Sequence, residues 1–65
     1  MTDNNNLIMY TVADIQKIMQ LKRDTAYTLV RASGFPSIRI GKSIRVEKSA
    51  FEKWVKNNTG KQIFL

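Results

Sequence analysis

The sequence predicts a small α+β domain in the order helix, turn, helix, two-stranded hairpin, helix. Three observations carry that expectation. Val12, Ile15, Ile18 and Met19, then Ala26, Leu29 and Val30, recur at helical spacing on either side of a short connection, Gln20 to Arg23. Ile38 to Val46 alternates apolar and polar residues around Gly41-Lys42-Ser43, as a strand pair does. Phe51, Trp54 and Val55 then fall at i, i+3 and i+4, the stripe of a third helix.

The first element needs little before it. Met1 to Asn6 is polar, contains three consecutive asparagines and has no periodicity, so residues 1–8 are expected to be a disordered arm. Order is expected to begin around Leu7 to Tyr10, in a short extended segment. Thr11 opens the first helix: Thr11-Val12-Ala13-Asp14 has the form of a capping box, with Asp14 in place of the more usual Glu. Tyr10 and Ile15 occupy the two staple positions, and Lys17 points away from the apolar face.

Leu21 is expected to turn into the core from the connection, and Asp24 to cap the second helix. Ala26, Leu29 and Val30 are its buried stripe. Thr28 and Arg31 then face outward, with Thr25 and Tyr27 on the shoulders. Gly34 suits the left-handed position after the helix, and Pro36 prevents its continuation. Two short helices with a tight turn are the minimum for a helix-turn-helix.

Gly41-Lys42-Ser43 also resembles the end of a phosphate-binding loop. Such a loop needs glycine five residues earlier and a helix directly after. Position 36 is proline, and Ser43-Ile44-Arg45-Val46 has strand alternation, so the nucleotide reading fails. A three-residue loop in a hairpin is expected instead. It would set Ile40 against Ile44 and Ile38 against Val46 on an inner face, with Arg39 opposite Arg45 on the outer face. Lys42 would then stand at the tip.

Glu47 is placed to cap the third helix, whose Phe51, Trp54 and Val55 are expected to be core. The helix should fray at Asn57-Asn58 before Gly60. The domain is set at residues 9–57, with 58–65 as a tail. Lys61 to Leu65 is apolar for a tail, and folding back, meeting a partner and having no role all stay open.

At 65 residues there is room for one domain with a small core. Cysteine and histidine are absent, which removes disulfides, nearly every zinc site and the commonest general base. No catalytic site, metal or cofactor is expected: the five carboxylates are scattered, and Ser43 has no base near it in sequence. No apolar run is long enough to span a bilayer and no signal peptide is evident, so a cytoplasmic, nucleoid-associated protein is expected. The net charge is +6, and Lys22 to Lys48 holds seven basic residues against two acidic ones. That distribution favours an anionic polymer, nucleic acid first.

The chain resembles the excisionase-type helix-turn-helix domains, relatives of MerR-like winged helices that include phage and transposon excisionases and AlpA-like regulators. The residues that carry the resemblance are Tyr10-Thr11-Val12-Ala13-Asp14-Ile15 and Lys22-Arg23-Asp24-Thr25-Ala26-Tyr27, followed by Phe35-Pro36. Ile38 to Lys42, Ile44-Arg45-Val46 and Phe51 to Val55 continue it, so that it covers Tyr10 to Lys56. It departs from the family at Gln20, where glycine is usual in the turn, and at Thr28, where a basic residue is frequent. The resemblance implies a winged helix-turn-helix that binds duplex DNA, with the second helix in the major groove and the wing on the backbone or minor groove.

Among the recognition-helix residues, Arg23 and Thr25, then Thr28, are expected to meet bases. Lys22, Tyr27 and Arg31 are expected to meet phosphate, and Arg39, Lys42, Ser43 and Arg45 of the wing to meet DNA at phosphate or a narrow minor groove. Four functions compete. An excisionase that bends DNA at an attachment site and biases an integrase toward excision comes first, and a small AlpA-like transcriptional regulator second. A protein-interaction module for an acidic partner is third, and a hydrolase fits worst. The expected partners are double-stranded DNA and, through the tail, an integrase or neighbouring copies; no membrane is expected. The protein is expected to be a monomer in solution that binds cooperatively on DNA.

Overall fold

The computed structural model describes residues 7–65, and the arm expected at the N-terminus lies, for residues 1–6, outside them. Strand β1 (Met9–Tyr10) leads into helix α1 (Val12–Met19), and helix α2 (Arg23–Arg31) follows after a tight turn. Strands β2 (Ser37–Ile40) and β3 (Ser43–Glu47) form the hairpin, and helix α3 (Lys48–Asn58) closes the domain. The short extended segment before α1 is thus a strand. It pairs with β3, so the wing expected as two strands belongs to a three-stranded antiparallel sheet of order β1-β3-β2.

The capping box at α1 forms as its residues dictate. The Thr11 amide donates to Asp14 Oδ2 at 2.9 Å, and the Asp14 amide donates to Thr11 Oγ1 at 3.2 Å. α1 stops at Gln20, which takes the left-handed conformation at φ 57° and ψ 50°. Its amide donates to Lys17 O, and the Leu21 amide reaches back to Gln16 O. These are the two bonds of a Schellman stop, formed here without glycine. A residue with a Cβ thus takes the left-handed conformation in this turn, at a cost of about 1–2 kcal/mol.

The cap expected at Asp24 is not there. Lys22 is the N-cap of α2 and makes no side-chain cap bond, while Arg23 already belongs to the helix. The reason is that the Ala26 amide bonds to Lys22 O, closing the first turn two residues earlier. Gly34 takes its left-handed φ of 89° as expected, and Glu47 caps α3 by accepting from the Ser49 and Ala50 amides.

The core joins all these elements. Ile15, Ala26, Val30 and Val46 are wholly buried, with Val12, Leu29, Phe35, Ile44 and Phe51 around them. Tyr10 meets Phe51 edge-on at 5.9 Å between centroids, and Phe35 meets Trp54 at 4.8 Å. Two expectations need correction. Trp54 and Val55 are only half-buried at the margin of this core, because Phe51 takes its centre. Ile18 is exposed, since the α1 face that α2 covers is centred on Ile15.

The hairpin register also differs from expectation. The loop has two residues, Gly41 and Lys42, so Ile40 pairs with Ser43, Arg39 with Ile44, Ile38 with Arg45 and Ser37 with Val46. The two arginines are not opposed, and Ile38 and Ile40 stand exposed on the outer face. Two local causes win over the alternation pattern. Gly41 has φ 59° and Lys42 does not have positive φ, the pattern of a two-residue turn with glycine first. Ser37 is held inward by its hydroxyl, which donates to Val30 O at 2.8 Å. With Ser37 turned in, the pleat must turn Ile38 out.

Candidate nucleic-acid interface

Burial of Ala26, Leu29 and Val30 sets the roll of α2 on the core. At about 100° per residue the opposite side carries Asp24, Thr28 and Arg31, and all three are exposed. Arg23 and Tyr27 are exposed on one shoulder, and Thr25 is half-buried on the other. Lys22 lies exposed just before the helix.

Arg23, Tyr27 and Arg31 form a stripe at i, i+4 and i+8. The two guanidinium carbons stand 5.9 and 5.8 Å from the centroid of the Tyr27 ring. Each contact contributes about 0.5–1 kcal/mol at an exposed site, which steadies two long side chains along the helix. The Thr28 hydroxyl donates to Asp24 O at 2.9 Å. Its hydrogen is committed within the helix, so toward a base this hydroxyl can only accept.

The wing stands beside that stripe. Arg31 of α2 and Arg39, Gly41 and Lys42 of the hairpin border one shallow recess floored by Ile44. A second recess lies between the start of α1 at Thr11 to Ala13, Tyr27, and the wing residues Lys42, Ser43 and Arg45. Lys42 therefore borders both. The two-residue loop is what brings Arg39 here, because it sets Arg39 on the same sheet face as Ile44, toward α2. Arg45 stands across from Ile38 on the outer face and is half-buried, with its guanidinium donating to Ile44 O at 2.9 Å.

Of the residues expected from sequence, Tyr27, Arg31, Arg39, Lys42, Ser43 and Arg45 thus converge on one surface, with Arg23 joined to it through Tyr27. Lys22 and Thr28 lie beside them, Thr25 is partly covered, and Arg45 has its guanidinium bonded to its own strand. Two features escaped the sequence reading. The start of α1 borders the same surface. Asp24 belongs to its outward face, which the projection that placed Thr28 and Arg31 would have shown had Asp24 not been assigned to a cap.

The other carboxylates near helix starts are spent differently. The Thr11 amide, then its hydroxyl, hold the Asp14 carboxyl below its ordinary range. The Ser49 amide, with help from that of Ala50, does the same for Glu47. Both are fixed as anions by the caps they make.

A family model described as a helix-turn-helix domain matches residues 9–59. The chain belongs to that family, the excisionase- and AlpA-type DNA-binding domains. Comparison with curated proteins and with solved structures returned no match. In this helix-turn-helix domain α1, the Gln20 turn and α2 are the motif, and β2 and β3 are the wing. The matched span ends at residue 59 and leaves the apolar tail outside it. Within that tail Ile63, Phe64 and Leu65 are all exposed, and Ile63 also borders a recess with Leu29, Phe35 and Trp54. The family binds DNA in a sequence-specific way, which makes this chain a DNA-binding protein and duplex DNA its partner. Among the described residues no helix is long and apolar enough to cross a membrane.

Proposed function

We propose that this domain acts as an excisionase, a recombination directionality factor that binds and bends DNA beside an attachment site. The observation that carries its mode of binding is the shared recess in which Arg31, Arg39 and Lys42 meet over Ile44. Three cations from two elements, set around a floor without a carboxylate, suit a backbone phosphate lying between the groove-bound helix and the wing. With the phosphate held there, α2 lies in the major groove with its N-terminal half toward base edges.

In this account Lys22, Tyr27, Arg31, Arg39 and Lys42 hold phosphate, with Ser43 beside them. Thr28 meets a base as an acceptor. Arg23 reaches a base from its perch on Tyr27, Thr25 acts from the half-covered shoulder, and Arg45 joins the backbone contacts only after leaving Ile44 O. One such domain covers about 600–1,000 Å² of DNA. Specificity in a recombination site therefore asks for several monomers bound side by side. The exposed Phe64 and Leu65 supply the contact to a neighbouring copy or an integrase.

The test is a recombination assay with the integrase of the same element, run with and without this protein, together with a footprint and a bending assay on the attachment site. Excision that rises with the protein, over a footprint of adjacent bent sites, supports the proposal. A footprint at a promoter, with changed transcription and unchanged excision, would place the chain among the AlpA-like regulators. Deleting Lys61 to Leu65 should abolish cooperativity while leaving single-site affinity intact.

A further inference from the structure

We propose that Asp24 reads a cytosine in the DNA site through the amino group on the cytosine's major-groove edge. The inference rests on the placement of α2 in the major groove argued above. Three observations lead to it. Asp24 lies in the first turn of α2, exposed, on the side directly opposite the buried Ala26, Leu29 and Val30. Residues there meet base edges in a helix-turn-helix.

Its carboxylate is also unspent. Asp14 and Glu47 accept backbone amides at the starts of α1 and α3. Among the described residues no hydrogen bond ends on the Asp24 carboxylate; only its backbone carbonyl is used, by Thr28.

The charge, finally, is out of place for any role toward phosphate. Lys22 and Arg23 directly precede Asp24 and Arg31 shares its outward face, and an anion among them weakens attraction to every duplex alike. A base edge that supplies a donor offsets that loss. Guanine presents two acceptors in the major groove, thymine one acceptor and a methyl group, and adenine an acceptor beside its amino group. Cytosine alone presents, on its own major-groove edge, a donor and no acceptor, so it is the base a carboxylate selects. Asp24 is thus a specificity residue whose negative charge rejects the other bases as much as it attracts one.

The experiment is selection from a pool of randomised duplexes by the native chain, Asp24→Asn and Asp24→Ala, followed by titration of the enriched sites. The native protein should enrich cytosine at one position, and both variants should lose about tenfold in discrimination there. Asp24→Asn should turn toward adenine, which offers the donor and acceptor pair that an amide matches. Both variants should also bind random duplex more tightly than the native chain.

The proposal is overturned if the variants enrich the same sequence as the native protein and merely bind all duplexes more tightly. It is equally overturned if their only defect is a lowered melting temperature, which would assign Asp24 to the charge balance of the helix start. A native chain that retains no duplex at all would instead sink the groove placement itself, and the proposal with it.

Discussion

The Ser37 hydroxyl donates to the carbonyl of Val30 at 2.8 Å, tying the first strand of the wing to the end of α2. Through this bond the register of the hairpin and the position of α2 are one structural fact. Ser37→Ala leaves the Val30 carbonyl without that partner, for an expected loss of about 1–2 kcal/mol. A denaturant titration of the variant checks the stability. An unchanged midpoint would mean that this bond contributes no net stability to the wing's place on α2.

Gln20 carries the left-handed stop of α1 where glycine would fit without strain. Gln20→Gly should raise stability by about 0.5–1 kcal/mol, the relief of strain less the extra freedom of the unfolded chain. A melt in which the variant is less stable than the native chain would show that the Gln20 side chain makes a contact worth more than the strain it causes.

Arg39 and Lys42 belong to the recess that is proposed to hold phosphate. Replacing either by alanine should weaken specific and random duplexes by similar factors and reduce the slope of log affinity against log salt by about 0.9. Binding isotherms at several salt concentrations decide it. Arg45→Ala, whose guanidinium is already bonded to Ile44 O, should change that slope less.

Phe51 is 3% exposed and meets the rings of Tyr10, Phe35 and Trp54. Phe51→Ala should cost about 3–5 kcal/mol and leave a chain of this size unfolded. Trp54→Ala, at the margin of the core, should cost less and keep the circular-dichroism signal of the helices. An unfolded Trp54 variant beside a folded Phe51 variant would reverse the assignment of the core.

Asp14 and Glu47 titrate below their ordinary range because backbone amides favour their charged forms. The unfolded chain therefore binds protons more readily than the folded one. The stability from these caps is complete above the unfolded carboxylate range and is lost as pH falls below about 4.5, the ordinary value for Glu47, through the folded pKa. Thermal melts from pH 7 to 2 should show the advantage of the native chain over Glu47→Gln shrinking with acid. A gap that stays constant to pH 2 would detach the cap from the Glu47 charge.

What the sequence determined by itself was local. Thr11 with Asp14 and Glu47 with Ser49 are contacts within a few residues, and each formed as its side chains allow. The helical stripes at Ile15, Ala26, Leu29, Val30 and Phe51 needed only a period. From these came the element order and the cationic middle of the chain, and with them the DNA-binding family. Tertiary structure decided what depends on a partner far along the chain. Ile38 and Ile40 have the alternation of an inward face, yet the Val30 carbonyl draws Ser37 inward and the pleat sends both isoleucines to solvent. The same slip carries Arg39 round to Arg31 and Lys42, so the recess proposed for phosphate exists only because of it. Asp24 departs from the expected cap for a related reason: a carboxylate at a helix start can cap or face outward, and only the actual first turn, closed from Lys22, tells which. Period-2 patterns specify that strands alternate but not which set turns inward. That choice belongs to whatever lies beneath the sheet.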